Sequence, residues 1–159
     1  MSYSVTFDKN VPHRILFSSY IFDKNSDISK SIQTMMDTGC YNSMIPIKRA
    51  MISGTPLGMM RKIVIGANVI DTEAYIIDKL NVGSFTMRNV FMFAGTFKGE
   101  LADTILLGLN VLNNWKYTVN RKESFLDFEE NLPDMIPNKA KPYQNYFDKE
   151  GKYVYSQSS

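Results

Sequence analysis

Cysteine and histidine are scarce in this chain of 159 residues, which has one of each, Cys40 and His13. One cysteine excludes an intramolecular disulfide scaffold and a metal site built from several thiolates. Nothing in the sequence places His13 beside Cys40 as a base, so a cysteine nucleophile is disfavoured. A metal site would need partner residues that the sequence does not offer, and we expect neither a metal nor a cofactor.

An excess of one charge and long apolar runs are missing as well. The 18 basic and 16 acidic residues give a net charge of +2, which is too even to indicate a nucleic-acid or membrane partner. No apolar stretch approaches the length of a transmembrane helix, and the N-terminal residues do not have the pattern of a secretory signal. The sequence therefore predicts a cytoplasmic protein without nucleic-acid or membrane partners.

The residues that are present predict a mainly β fold. Apolar residues make up 44% and charged residues 21% of the chain, which is ordinary globular usage. Short runs of β-branched and aromatic residues alternate with turn residues, as in a small closed β-barrel with one or two short helices. We predict strands at 4–7, 14–22, 31–36, 61–65, 72–77, 84–93, 105–108, 116–119 and 124–128. Short helices are expected at 44–52 and 109–114, and a loop at 54–58.

One tripeptide stands out by its context. Asp37-Thr38-Gly39 follows an apolar strand, and a Ser-Met-Ile-Pro segment at 43–46 comes after it. Much later in the chain lies the apolar run Ile105-Leu106-Leu107-Gly108, followed by a predicted short helix. An isolated Asp-Thr-Gly is also an ordinary turn sequence. The ordered set of segments, however, resembles the retropepsin-like aspartic peptidases, the family of retroviral proteases and their cellular and bacterial relatives.

The resemblance covers residues 31–128, which we interpret as the retropepsin-like core. Residues 1–30 are predicted to add strands to the barrel or to a dimer interface. Residues 129–159 form a C-terminal extension containing three prolines, with a possible last strand at 152–155. Either terminal segment is a candidate for joining two subunits.

What the resemblance implies is an aspartic endopeptidase that acts on a peptide or protein substrate without a cofactor. Such an enzyme needs two carboxylates that share one proton, but the chain has a single Asp-Thr-Gly. The resemblance therefore implies a two-fold homodimer in which each subunit contributes Asp37. Thr38 is expected to bond across the dimer, and Gly39 to present its backbone N–H to the carboxylate. The alternative is a non-catalytic dimerisation or peptide-binding module of the same fold.

By the same resemblance, a flap hairpin should lie between residues 63 and 77 and cover the bound peptide. We place its tip at residues 67–72, with Asn68 and Asp71 as the turn formers. The run at 105–108 should support the catalytic loop from below. The residues expected to contact substrate are Cys40, Ala67, Asn68, Val69, Ile70, Asp71 and Thr72.

Overall fold

The computed structural model describes residues 2–130. It contains ten strands, two short α-helices and one 3₁₀ turn at Gly99–Leu101. The strands are β1 (Ser2–Thr6), β2 (Ile15–Phe22), β3 (Ser29–Met36), β4 (Met44–Pro46), β5 (Gly54–Ile65), β6 (Asn68–Val82), β7 (Phe85–Gly95), β8 (Thr104–Leu107), β9 (Trp115–Asn120) and β10 (Phe125–Glu130). The helices are α1 (Ile47–Ser53) and α2 (Leu109–Leu112).

Six of the strands close into a barrel. Their order is β2-β3-β8-β4-β7-β6, and β6 returns to β2 through the pairs Tyr20↔Asn81 and Ile21↔Leu80. The β3–β8 and β4–β7 pairs are parallel, whereas the other neighbours in the ring are antiparallel. Because the ring is closed, each of the six strands has a hydrogen-bonded neighbour on both sides. The predicted fold class, a mainly β closed barrel with two short helices, is confirmed.

Large apolar side chains fill the barrel. The run at 105–108, expected to be buried on both faces, is buried throughout. The middle of β7 is buried from Val90 to Gly95 as well, because it runs between β4 and β6. Burying this much apolar surface is the main force that holds such a barrel together. The largest fully buried side chains include Ile21, Ile45, Ile77, Leu80, Phe91, Phe93, Ile105 and Leu107.

A second, three-stranded sheet joins both ends of the described chain in the order β1-β10-β9. Its inner face carries an aromatic cluster, in which Trp115 stacks on Phe128 with ring centroids 4.2 Å apart. Tyr3 lies 4.8 Å from Phe85, so the cluster reaches the barrel strand β7. The N-terminal segment is thus divided, with β1 in this sheet and β2 in the barrel. The predicted extension falls almost wholly outside the described residues, including the strand expected at 152–155.

Two local predictions are wrong. The helix expected at 44–52 begins only at Ile47, because Met44–Pro46 forms a short strand that fills the gap between β7 and β8. The loop expected at 54–58 is the start of β5. Gly54 allows this strand to approach β6 closely, since a Cβ there would lie 2.5 Å from the carbonyl oxygen of Ile76. A glycine that signals a loop in sequence here serves strand packing.

Replacing Leu126 with alanine tests whether the three-stranded sheet belongs to the core. Leu126 is fully buried, so Leu126→Ala should lower the free energy of unfolding by about 2–5 kcal/mol through the cavity it leaves. Asp127→Ala, at the next and exposed position of β10, should change it by less than about 0.5 kcal/mol. Urea denaturation measures both values. Equal, small losses would show that this sheet adds little to the core.

Candidate active site

Asp37 lies where β3 leaves the barrel. Its backbone N–H donates to the carbonyl of Leu107 at 2.9 Å, which continues the parallel pairing of β3 with β8 by one residue. Asp37 is half-buried, while Thr38 and Gly39 are exposed. The carboxylate therefore lies at the end of a barrel strand, next to a turn that residues 2–130 leave exposed.

The turn after Asp37 holds its side chain. The Gly39 N–H donates to Asp37 Oδ1 at 3.0 Å, and the Cys40 N–H donates to the Asp37 carbonyl at 3.2 Å. A Cβ on Gly39 would lie 3.3 Å from the same Oδ1, so glycine leaves room for this approach. The Gly39 N–H therefore fixes the orientation of the carboxylate.

The loop from Asp37 onward is fastened to the start of α2. Leu109 N–H donates to the Cys40 carbonyl at 2.8 Å, and Asn110 N–H donates to the Tyr41 carbonyl at 3.0 Å. Between them, Gly108 permits contact that no other residue allows, because a Cβ there would lie 2.6 Å from the Cys40 carbonyl oxygen. Two segments far apart in sequence are thus locked backbone to backbone.

A buried polar network completes this fastening. Asn110 Oδ1 accepts from both the N–H and the hydroxyl of Ser43, each at 2.7 Å. The Ser43 hydroxyl oxygen in turn accepts from the Gly108 N–H at 3.0 Å, and Asn110 Nδ2 donates to the Phe91 carbonyl at 3.0 Å. Asn110 was not predicted as a site residue, and Ser43 was singled out only as part of the segment at 43–46. The available signal was a polar residue inside the apolar run Gly-Leu-Asn-Val-Leu.

Cys40 is half-buried in the loop that follows Asp37. Its side chain packs against a cluster formed by Met44, Phe97 and Leu106, and its thiol donates to the Asn42 carbonyl at 2.8 Å. Burial, together with the nearby Asp37 charge, raises the pKa of the Cys40 thiol to about 11. The thiol is therefore neutral at physiological pH and poorly suited to act as a nucleophile.

A long hairpin formed by β5 and β6 extends beyond the barrel. Pairing between β6 and β7 begins only at Thr72↔Gly95, so residues 68–71 pair with β5 alone. The reversal is a two-residue turn at Gly66 and Ala67, where Gly66 has φ +60°. The tip is therefore at 66–67, and the interpretation of Asn68 and Asp71 as turn formers is wrong. Glycine adopts this left-handed backbone without steric cost, and the chain uses it in preference to asparagine or aspartate.

A cavity of about 390 Å³ lies beneath this hairpin. The structure brings Asn68, Val69, Ile70 and Asp71 to its lining, together with Leu106. Ala67 lies in the turn and is exposed. Thr72 is buried, and its hydroxyl donates to the Arg61 carbonyl at 2.7 Å. The remaining lining residues, which sequence reasoning did not single out, are Ile65, Thr96, Phe97, Lys98 and Leu101.

The architecture of the chain is similar to that of a solved structure. In a crystal structure, a retropepsin-like aspartic protease from Rickettsia conorii is similar with a TM-score of 0.50, at 16% identity, over 80% of this chain and 90% of that chain. The fold is retropepsin-like. No family model matches the sequence, and no curated protein is significantly similar to it. The retropepsin-like fold is thus established by architecture rather than by sequence identity.

The described residues contain neither a metal-ligand cluster nor a helix that could span a membrane. Across residues 2–130, no three His, Cys, Asp or Glu side chains gather as they would around a metal ion. Within that range, no helix combines the length and apolar character needed to cross a membrane.

Asn110→Ala tests the buried network. The substitution leaves the buried Ser43 N–H without its acceptor and removes the bond from Asn110 to the Phe91 carbonyl, so the free energy of unfolding should fall by about 3 kcal/mol. Asn113→Ala, at an exposed position just after the same helix, should change it by less than about 0.5 kcal/mol. Denaturation gives the energies, and amide exchange should show faster opening at residues 40–43 in Asn110→Ala alone. Unchanged exchange there would contradict a clamping function.

Alkylation tests the state of Cys40. Because the thiolate is the reactive form, the folded protein should react with iodoacetamide slowly near neutral pH and faster as pH approaches about 11. Asp37→Asn removes a negative charge that raises this pKa, so alkylation should become faster at a given pH while burial continues to slow it. Mass spectrometry follows the reaction, with the urea-unfolded chain as the reactive control. Equal rates for folded and unfolded protein near neutral pH would refute the neutral, shielded thiol.

Proposed function

We propose that this protein is an aspartic endopeptidase that works as a homodimer, with Asp37 of each subunit forming one catalytic pair. The observation that carries the proposal is the Asp37 carboxylate held by the Gly39 N–H at 3.0 Å on an exposed turn of a retropepsin-like barrel. The described chain offers one such turn, so one subunit supplies half of the pair. A second copy related by a two-fold axis supplies the other half.

The chemistry follows from placing two carboxylates together. Like charges at short distance cannot both ionise cheaply, so the pair holds one proton between its members. The ionised carboxylate takes a proton from a water molecule, which attacks the peptide carbonyl carbon. The protonated carboxyl gives its proton to the carbonyl oxygen as that oxygen gains negative charge. The proton taken from the water then passes to the amide nitrogen, the C–N bond breaks and the amine leaves, while the other carboxylate takes back a proton from one hydroxyl of the intermediate. Thr38 and Gly39, which follow Asp37, are exposed, which supports a contact with a second subunit at this turn.

Substrate binding is supported by the hairpin and the cavity. An extended peptide pairs readily with strand-like backbone, and alternate side chains then enter pockets on one side. The cavity under the hairpin takes an apolar side chain, because Phe97 and Leu106 line it. A hairpin that projects past the barrel is suited to close over the peptide and exclude water during hydrolysis.

Asp37→Asn is the decisive variant, because it keeps the shape of the side chain and removes its charge. We expect cleavage of a mixed peptide library by the wild type, and a loss of about 10²- to 10⁴-fold in the variant. A statine-type transition-state analogue should block the wild-type activity. Asp127→Asn, which removes an exposed carboxylate of β10, should leave activity unchanged.

Mixed dimers test the sharing of the site. Heterodimers of wild-type and Asp37→Asn chains, isolated with two different tags, should be as inactive as the variant homodimer. Half-activity would mean that each subunit acts alone, against the proposal. A folded wild-type dimer that binds peptides and cleaves none would favour the alternative, a non-catalytic peptide-binding module.

A further inference from the structure

One wall of the cavity belongs to the segment that joins β7 to β8, which the mechanism at Asp37 leaves unused. Gly95 ends β7, and a Cβ there would lie 3.1 Å from Ile70 Cγ2 and 3.2 Å from the Asp71 carbonyl oxygen. This close approach brings the following residues alongside the hairpin. Thr96, Phe97, Lys98 and Leu101 consequently line the same cavity as Asn68–Asp71.

The cavity floor is apolar and near the catalytic turn. Leu106 lies on the floor, one residue before Leu107, whose carbonyl accepts from the Asp37 N–H. Because a strand rises by about 3.3 Å per residue, Leu106 brings the cavity to within one or two residues of Asp37. Phe97 and Leu106 pack together in one cluster. A large apolar side chain beside the scissile bond fits here.

The residues that line the cavity include one cationic and one anionic side chain, Lys98 and Asp71. Asp71 lies on the hairpin. Its carboxylate is 2.8 Å from the ammonium of Lys62, a residue that does not line the cavity. Glu100 is the acid nearest to Lys98 in sequence, and it pairs with Arg14 at 3.1 Å. Lys98 is exposed and makes no ion pair with any residue between 2 and 130. Its charge is available to a ligand in the cavity.

We propose that Lys98 determines specificity by selecting peptides with an aspartate or glutamate next to the apolar side chain that fills the cavity. This proposal rests on the proposed function, because it concerns the same peptide site. A carboxylate that reaches the Lys98 ammonium forms a charge-assisted hydrogen bond. The bond gains strength as the hairpin excludes water from the cavity. The substrate class is therefore an acidic and apolar peptide segment.

Matched peptides test the selection. The probes are octapeptides with two adjacent apolar residues, flanked at each neighbouring position in turn by Glu, Gln or Lys. Wild-type protein is assayed for kcat/KM, and full-length Asp37→Asn protein for binding by fluorescence anisotropy. At one position, Glu should exceed Gln by about three- to tenfold and Lys should be worst. The Glu preference should shrink as salt rises, because ionic strength screens exposed charges.

Charge reversal assigns the preference to one residue. Lys98→Glu should reverse the preference, so that kcat/KM and binding are higher for Lys peptides than for Glu peptides. Lys98→Met should remove the difference between these peptides. Lys122→Glu is the matched control, since it makes the same change of net charge at an exposed turn of the other sheet. The Glu preference should persist in that variant. Loss of the preference in both variants would assign it to net charge and overturn the proposal.

The two assays separate this proposal from the proposed function. Cleavage with equal kcat/KM for Glu and Gln at every position overturns the Lys98 proposal and leaves the peptidase standing. Binding that prefers Glu and depends on Lys98, without any cleavage, supports the Lys98 proposal and overturns the peptidase. Neither binding nor cleavage overturns both.

Discussion

The absence of a side chain at Gly108 is the constraint on which the Asp37 turn depends. Any Cβ at this position would collide with the carbonyl of Cys40, so only glycine allows the start of α2 to lie against the loop. Once the segments are in contact, Ser43 and Asn110 form hydrogen bonds in the protein interior. An unpaired polar group there would cost free energy of folding. These bonds hold the loop against the start of α2. The position of the Asp37 carboxylate is therefore set by that packing and not by the short turn alone.

Rigid and projecting parts of the molecule are separated along the same sheet. The barrel closes between β2 and β6 and fixes the end of β3, while the hairpin of β5 and the first residues of β6 continues beyond the last pairing with β7. In the proposed peptidase, the fixed strand end would hold Asp37 in position, because small displacements of reacting groups are expensive. The projecting hairpin would admit the peptide. The strand β6 connects them, since its two ends belong to different parts.

Local patterns predicted what is local. The strands, the buried run at 105–108 and the turn at Asp37 follow from alternation, apolar content and turn residues. The flap tip was misplaced because asparagine and aspartate outweighed Gly66, and the start of β5 was misread because Gly54 also signals a loop. The contact of Ser43 with Asn110 joins residues 67 positions apart. Satisfaction of a buried polar group is a tertiary property, and one sequence shows the residue without its partner.

The sheet formed by β1, β10 and β9 also has a consequence for how the chain is made. Residues 2–6 pair with residues 125–129, so during synthesis β1 has no partner in its sheet until β10, the last described strand, has emerged. All six barrel strands lie between these two, and they can associate while β1 remains unpaired. Closure of a sheet across such a sequence separation is entropically expensive and slow. Until that step, β1 is an open strand edge that a neighbouring nascent chain can occupy, which makes synthesis rate and chaperone access part of this protein's folding yield.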